Sequence, residues 1–185
     1  GNSVWFSETN NPKRKLKYTL EIVNIDKKLI GINTHLTNKI VLEALNQKRI
    51  KNLVKFDNIK TEAKFSDKTR FDFLISNNKK KCFLEVKNVT LVRNNKIAEF
   101  PDAITSRGTK HLEELIRAKK KGFESYILYL IQREDCESFK IAEDIDQEYK
   151  IIFNEALKNG VKMLCYDCKL SNEEIRLNNQ INYEQ

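Results

Sequence analysis

Hydrophobic and polar residues alternate near the start of the chain. Apolar and polar positions take turns over residues 16–22, a polar stretch follows at 24–28, and residues 29–32 are again largely apolar. A period of two is typical of a strand with one buried face, and a short polar break between two such runs predicts a β-hairpin. We therefore predict a β-hairpin segment within residues 1–35.

The spacing of apolar residues then changes to that of a helix. After residue 37 an apolar side chain recurs every three or four positions, which is the period of a helix with one buried stripe. Thr37 is expected to cap this helix, which should run to about Gln47. The apolar stripe consists of Ile40, Val41, Ala44 and Leu45.

The rest of the chain predicts further strands and helices. Three strand-like runs are expected to form an antiparallel meander, and a nearly continuous apolar run at 125–131 is typical of a strand buried on both faces. Gly122 and Gly160 are expected to end the two remaining helices. The predicted strands are 61–66, 70–76, 81–90, 125–131 and 161–169, and the predicted helices are about 105–121 and 145–158. This order indicates an α/β fold with a mixed β-sheet flanked by helices.

Length and composition indicate how many domains the chain forms and which class of protein it belongs to. The 185 residues fit one domain of ordinary size, with or without a small appendage. The sequence has no run of roughly 18 apolar residues and no apolar segment at its start, so it predicts neither a membrane span nor a secretion signal. We expect a cytoplasmic protein with no membrane partner. The chain begins with Gly1 rather than Met, which is consistent with a fragment or a processed form.

The charge of the chain is positive. Lys and Arg number 34 against 26 Asp and Glu, which gives a net charge of +8 at pH 7. Such a field favours polyanionic partners such as DNA. Lys, Asn and Ile are abundant along the whole chain, however, so a general compositional bias explains the basicity equally well.

The four cysteines do not indicate a metal site. Cys165 and Cys168 are close in sequence, but they lie in a predicted strand, where residues three apart point to opposite faces. Without a secretion signal a disulfide framework is not expected either. We expect reduced, partly buried cysteines.

Two neighbouring predicted strands carry the candidate chemistry. A turn centred within residues 77–80 pairs their apolar side chains and places Asp72 opposite Glu85 on the other face. The hydrophobic pattern sets this register by itself, because a slip of one residue would expose the apolar face. That apolar face consists of Phe71, Phe73 and Ile75 with their partners Val86, Leu84 and Cys82.

Asp72, Glu85 and Lys87 are therefore predicted as the catalytic residues of metal-assisted phosphodiester hydrolysis. Two carboxylates about 5 Å apart repel each other unless one is protonated or a cation lies between them. Mg²⁺ (or Mn²⁺) suits this pair, because it prefers one or two carboxylates together with water and phosphate oxygens. Lys87 can position an attacking water or neutralise charge on phosphorus. The alternative is that Arg70 and these three residues form two crosswise salt bridges on an exposed sheet.

A basic cluster lies near aromatic residues in the first segment. Lys13, Arg14 and Lys15 are close in sequence to Trp5 and Tyr18. Basic and aromatic side chains together suit phosphate contacts and base stacking, so we predict that the three basic residues bind nucleic acid. A solvated turn is the alternative.

The spacing of the candidate residues resembles a known superfamily. Asp72, followed after twelve residues by Glu85-Val86-Lys87, on two adjacent strands between two helices, is similar to the PD-(D/E)xK nucleases. More specifically, segments along nearly the whole chain resemble the sugar fermentation stimulation protein A family. These segments are Asn33-Thr34, Asn38-Lys39, Glu43-Ala44-Leu45 and residues 70–73, 85–91, 100–103 and 107–115.

This resemblance implies a domain organisation and a partner. It implies a PD-(D/E)xK restriction-endonuclease-like core over residues 36–185. Residues 1–35 would be the remnant of an OB-like barrel whose earlier strands are absent, and a small barrel cannot close without them. DNA is the implied partner, because members of the family are described as DNA-binding proteins linked to the regulation of sugar metabolism. The oligomeric state stays open.

The resemblance also extends the site and implies a function. Glu43 would be a third metal ligand, and Arg107, Lys110 and His111 would support the site and bind nucleic acid. The plainer interpretations are a surface position for Glu43 and simple packing for His111. The implied function is a DNA-binding protein with a nuclease-like divalent-metal site that hydrolyses phosphodiester bonds. The alternative is a non-catalytic, DNA-binding transcriptional regulator of sugar metabolism that retains the nuclease fold.

Overall fold

A computed structural model describes residues 1–94 and 96–184 of the chain, which form three β-sheets and three α-helices. The strands are β1 (Val4–Glu8), β2 (Tyr18–Ile25), β3 (Lys28–Gly31), β4 (Asn58–Lys64), β5 (Arg70–Ser76), β6 (Lys81–Val89), β7 (Leu91–Val92), β8 (Ile97–Phe100), β9 (Glu124–Ile131), β10 (Ser138–Ile141), β11 (Lys162–Leu170), β12 (Ile175–Gln180) and β13 (Asn182–Tyr183). The helices are α1 (Thr37–Asn46), α2 (Ser106–Lys120) and α3 (Gln147–Lys158), and short 3₁₀ helices cover Thr34–Leu36 and Lys51–Leu53.

A six-stranded mixed sheet forms the centre of the molecule. Its strand order is β12-β11-β9-β6-β5-β4. The β4-β5-β6 meander is antiparallel, β6, β9 and β11 run parallel, and β12 is antiparallel to β11. Helix α1 packs on one face of this sheet, and α2 and α3 pack on the other. The predicted α/β architecture, with a mixed sheet flanked by helices, is confirmed.

Strand β9 shows why the sheet needs helices on both faces. Every residue of β9 after Glu124 is buried, which is the pattern of a central parallel strand covered on both sides. Within β9, Leu128 packs toward α1, and Tyr129 packs toward α2 and α3. The cysteines of β11 divide in the same way, since Cys165 and Cys168 are buried free thiols on opposite faces of the sheet.

The N-terminal segment forms a three-stranded antiparallel sheet in the order β1-β2-β3. The hairpin of β2 and β3 is as predicted, with Val23 paired with Ile30. Strand β1 was not predicted from the pattern, because only Trp5 within it is even half-buried and an exposed strand has no apolar alternation. Beyond this sheet, Gly31 donates its backbone N–H to the carbonyl of Gln132 at 2.8 Å, directly after β9.

Two further predictions about local structure were wrong. Helix α1 has Leu36 as its N-cap, and Thr37 is its first helical residue rather than its cap. The Thr37 side chain is instead directed into the protein, where its Oγ1 donates to Asn88 Oδ1 at 3.1 Å. No strand was predicted between residues 90 and 105, but β7 and β8 lie there and join β10 and β13 in a small second sheet. Strands of two to four residues are too short to show a period.

The helices of the described residues include none that is both long and apolar enough to cross a membrane.

The buried tyrosine pair under α3 provides a test of this core. Tyr129 and Tyr149 are fully buried, and their hydroxyl oxygens lie 2.6 Å apart. Tyr149→Phe should destabilise the fold by about 1–3 kcal/mol, because it leaves a buried hydroxyl without its partner. The double variant Tyr129→Phe/Tyr149→Phe should cost clearly less than the sum of the two single changes, as measured by urea unfolding.

Tyr18→Phe is the control for this experiment, since Tyr18 is half exposed. This substitution should change the free energy of unfolding by less than about 0.5 kcal/mol. Strictly additive effects of the two buried substitutions would contradict a mutual hydrogen bond.

Candidate functional site

The site lies where two neighbouring strands separate. Strand β5 pairs with β6 in the predicted register, with Phe73 opposite Leu84, and this pair is the last at that end. Beyond it β6 stays paired with β9 as far as Val89, while β5 stays paired with β4 as far as Arg70. The two strands therefore form a fork, and Asp72 stands in its angle.

The predicted direct pairing of Asp72 with Glu85 was wrong because β5 turns at this position. Phe73 packs with α1, but Phe71, two residues earlier, packs with α2 on the other face of the sheet. The neighbouring strand shows the same irregularity, since Glu62 of β4 has a φ of 50° and makes no ladder pair with Asp72. A left-handed backbone at a non-glycine residue costs about 1–2 kcal/mol. The apolar face predicted to contain Phe71, Phe73 and Ile75 is thus divided between two clusters.

Hydrogen bonds to its side chain hold Asp72 in the fork. Its Oδ2 accepts the backbone N–H of Val86 at 2.8 Å, and its Oδ1 accepts from Asn38 Nδ2 at 2.7 Å. Burial, followed by the negative charge of Glu85, raises the pKa of Asp72 to about 6, against the lowering effect of both donors. A carboxylate whose charge is disfavoured by burial and by a neighbouring negative charge is stabilised when a cation binds in place of its proton.

Glu85 and Lys87 point from β6 toward α2, where they meet His111. Lys87 Nζ donates to Glu85 Oε1 at 2.8 Å and lies 3.1 Å from His111 Nδ1. His111 Nδ1 also contacts Glu85 Oε1. In a neutral ring this nitrogen either donates to Glu85 or accepts from Lys87, so the two hydrogen bonds are alternatives. Burial alone would raise the pKa of Glu85, but hydrogen bonds and positive charge from His111 and Lys87 outweigh it, and the pKa is lowered.

The second carboxylate oxygen of Glu85 has no protein partner. Glu85 is 3% exposed, and its Oε2 is buried without a hydrogen bond within the described part of the chain. The residue lines a cavity of about 400 Å³ that Asp72, Lys87 and His111 also line. A buried ionised oxygen without a donor is costly unless a ligand supplies the missing positive charge. The fork thus presents two carboxylates to one cavity, with one oxygen unmatched.

Asn88 is a site residue that the sequence did not reveal. Its Oδ1 accepts from Gln132 Nε2 at 2.6 Å and from Thr37 Oγ1 at 3.1 Å. With the carbonyl held from two sides, the amide NH₂ of Asn88 is the end left for the cavity that this residue lines. Asn38, which bonds Asp72, was missed in the same way. In both cases the partner lies far away in sequence, so no local pattern marks the role.

The structure brings some of the other predicted residues to the fork. Arg107 and His111, on the first turns of α2, line the site cavity. Both also line an adjoining cavity of about 400 Å³ with Asp72, Lys110 and Arg70. The crosswise salt bridges considered for this sheet do not form as proposed, since the carboxylate of Asp72 is held by an amide and a backbone N–H.

The structure does not bring Glu43 to the fork. It is exposed, and its Oε1 accepts from Gln47 Nε2 at 2.9 Å. Five residues beyond Asn38, it is rotated about 140° around α1 from the side chain that reaches Asp72. Among the described residues no group of three or more His, Cys, Asp or Glu side chains is placed to hold a metal ion. The surface interpretation of Glu43 therefore fits the structure, and the prediction of a third carboxylate ligand does not.

The basic cluster of the N-terminal segment is exposed. Lys13, Arg14 and Lys15 lie in the connection between β1 and β2, where Arg14 Nη2 donates to Thr19 Oγ1 at 2.9 Å. Two neighbouring aromatic rings, Phe6 and Tyr18, are about half exposed and pack edge to face with their centroids 5.1 Å apart. These residues line neither of the two cavities at the fork.

Family models match both parts of the chain. Residues 35–174 match the sugar fermentation stimulation protein RE domain, and residues 1–32 match the SfsA N-terminal OB domain. A sugar fermentation stimulation protein homolog of Pelagibacter ubique is 52% identical over 98% of this chain and 78% of its own length. A homolog of the same description from Bartonella quintana is 44% identical over 94% of this chain and 75% of its own length.

A solved structure has the same fold. It is the structure of Pyrococcus furiosus SfsA in complex with Ca²⁺, which matches with a TM-score of 0.90 and 24% identity over 100% of this chain and 79% of that chain. The likeness confirms the mixed α/β fold and the short β segment that precedes it. With the family models and the relatives above, it leads to one conclusion. The chain belongs to the sugar fermentation stimulation protein (SfsA) family.

Proposed function

We propose that this protein binds DNA and holds a divalent cation between Asp72 and Glu85, with which it hydrolyses phosphodiester bonds. The observation that carries the proposal is made on Glu85, whose buried Oε2 has no partner among the described residues and which lines the same cavity as Asp72. A divalent cation there would supply the missing charge and relieve the repulsion that contributes to the raised pKa of Asp72.

The donor set favours a hard cation. Both ligands are carboxylate oxygens, and Mg²⁺ or Mn²⁺ commonly takes one or two of these and completes its shell with water and phosphate oxygens. The Pyrococcus relative was solved in complex with Ca²⁺, another oxygen-seeking ion. A bound divalent cation would supply Lewis acidity and lower the pKa of its water.

Lys87 and His111 act beside the cation. The ammonium of Lys87 can donate to a phosphate oxygen and stabilise the charge that develops on phosphorus. His111 Nδ1 hydrogen-bonds either Lys87 or Glu85, and all three side chains line the same cavity. The free amide end of Asn88 offers a further donor to a phosphate oxygen.

Basic residues around the fork supply the affinity for DNA. Arg107 and Lys110 of α2 lie beside the site in the adjoining cavity, next to Lys68 and Arg70. A net charge of +8 attracts the polyanion over longer distances. Lys13, Arg14 and Lys15 would contact the backbone farther from the fork, with Phe6 and Tyr18 as exposed rings for stacking.

A non-catalytic, DNA-binding role is the second candidate. The observation in its favour is that the Lys87 ammonium donates to Glu85 at 2.8 Å and is only 13% exposed. A lysine held in this way serves to orient Glu85, and the fold would then present DNA with a metal-stabilised surface without cutting it. Such a protein would act as a regulator through binding alone.

Metal binding should stabilise the fold. At tenfold the dissociation constant, Mg²⁺, Mn²⁺ or Ca²⁺ should add about 1.4 kcal/mol and raise the Tm by roughly 3–6 °C. At pH 5 the increase should shrink, because Asp72, with its pKa of about 6, then carries the proton that the cation must displace. Differential scanning fluorimetry at pH 7.5 and pH 5 measures both effects.

Asp72→Asn should abolish this metal-dependent increase, and Asp67→Asn is the matched control at a position that is 94% exposed. An increase of the same size in the Asp72→Asn variant would exclude Asp72 as a ligand.

Lys87 distinguishes the two candidate functions. If the site is catalytic, Lys87→Met should reduce the Mg²⁺- or Mn²⁺-dependent cutting of supercoiled or linear DNA by about 10²–10³-fold, the usual effect of losing a transition-state donor. Affinity for DNA in Ca²⁺ should change by less than about threefold, since one phosphate contact is a small part of the total. Gel assays of cleavage and fluorescence anisotropy of binding measure the two quantities.

Lys169→Met, at an exposed position of β11, is the control and should leave both quantities unchanged. Undiminished cutting by Lys87→Met would contradict the catalytic role, whereas DNA binding without any cutting by the wild type would establish the regulator.

A further inference from the structure

A cavity lined by lysines lies away from the fork. It has a volume of about 670 Å³ and is found at the far end of β6, where the β5–β6 turn meets the end of α2 and the start of β11. The lining lysines, which define the lysine cavity, are Lys79, Lys80, Lys81, Lys119, Lys121 and Lys162. They come from three separate parts of the chain.

A single carboxylate faces these lysines. Glu124, at the start of β9, is the one acidic residue in the described lining. Its side chain is 12% exposed and lies 3.0 Å from Lys55, 3.2 Å from Lys80 and 3.9 Å from Lys162. Burial alone would raise the pKa of Glu124, but the lysines outweigh it and the pKa is lowered. The carboxylate is therefore ionised and cancels one charge out of six.

Helix stability explains only part of this arrangement. Lysines in the last turn of α2 interact favourably with the carbonyl end of the helix, which accounts for Lys119 and its neighbours. It does not account for Lys79 of the β5–β6 turn, Lys81 at the start of β6 or Lys162 of β11, which converge on the same concave surface. Like charges in a concave site repel each other and concentrate the potential there, so the site attracts an anion of several charges.

Helix α2 and strand β6 connect the lysine cavity with the fork. From Lys110, beside the fork, to Lys121 the helix rises about 16 Å, and from Lys87 to Lys81 strand β6 spans about 20 Å. Along the axis of a DNA duplex, successive phosphates of one strand advance by about 3.4 Å. A duplex whose axis follows this path of about 20 Å therefore reaches the lysine cavity about six nucleotides from the fork.

We propose that the lysine cavity is a second phosphate-binding site, which holds the backbone of the nucleic acid about six nucleotides from the bond at the fork. The inference rests on the proposed function, because it takes DNA as the ligand at Asp72 and Glu85. Lysine ammonium groups bind phosphate as point charges without reading bases, so this contact adds affinity and direction but no sequence preference.

The test is the triple variant Lys79→Gln/Lys81→Gln/Lys119→Gln in the full chain. None of the three lysines lies within the ion-pair distance of Glu124 in the described structure, so the buried carboxylate keeps its partners. For a 20-base-pair duplex in Ca²⁺ and 100 mM salt, the affinity should fall at least tenfold. The slope of log K against log salt should become shallower by about 2–3, which is the loss of three phosphate contacts.

The control removes the same charge elsewhere. Lys51→Gln/Lys158→Gln/Lys169→Gln lowers the net charge equally without touching the lysine cavity. This control should change the duplex affinity by less than about threefold, because distant charges are screened at this salt concentration. Equal losses in both triple variants would overturn the proposal and indicate a general effect of net charge.

A second arm distinguishes the two sources of phosphate. Tripolyphosphate binding, measured by calorimetry, should be weaker than duplex binding in the wild type. Suppose that the wild type binds tripolyphosphate tightly and that the triple variant loses this binding but keeps its affinity for the duplex. The site then serves a free polyphosphate, and the proposed DNA path is wrong. If the wild type cuts DNA and the cavity variant binds it unchanged, this inference fails while the proposed function stands. If the wild type does not bind DNA, both fail.

Discussion

The separation of β5 from β6 at Asp72 is the constraint on which the site depends. A continuous ladder would pair the backbone donors on this edge of β6 with β5 and leave no room for a ligand. At the fork the carboxylate of Asp72 takes over one of those pairings, because its Oδ2 accepts the N–H of Val86 at 2.8 Å. The backbone thus stays satisfied while the strands open. The left-handed backbone of Glu62, opposite Asp72 on β4, belongs to the same irregularity.

The fork also determines the electrostatics of the site. Strand β6 remains in the centre of the sheet through β9, so Glu85 is carried into the interior and keeps only 3% of its surface exposed. An ionised group at that depth requires partners, and Lys87 and His111 supply them on one oxygen only. Glu85 and Asp72 line one cavity, to which Arg107 and His111 of α2 also contribute. Burial and partial pairing, rather than the bare presence of two acids, make this place suited to a cation.

The sequence predicts those features that a repeating pattern encodes. The Phe73–Leu84 register follows from alternation along two strands, since a slip of one residue would turn both apolar faces outward. The turn of β5 that sends Phe71 to the other face cannot be predicted in this way, because it depends on a left-handed glutamate, and that residue type does not signal such a backbone. The role of Asn88 is equally hidden, since its partner Gln132 is 44 positions away. Resemblance to a family supplied the superfamily and the expectation of DNA as a partner, but it also suggested Glu43, which the rotation of α1 carries away from the fork.

Gln132 connects the N-terminal sheet to this chemistry. Its backbone carbonyl accepts the N–H of Gly31 at the end of β3, and its side chain holds Asn88 on β6. The approach is so close that a Cβ at position 31 would lie 2.6 Å from Gln132 Oε1, which explains the glycine at the end of a strand. A shift of the N-terminal sheet would therefore displace Gln132 and, through its hydrogen bond, the side-chain amide of Asn88 at the cavity. The first 32 residues, which match an OB domain, are in this way coupled to the site by backbone and side-chain hydrogen bonds of a single residue.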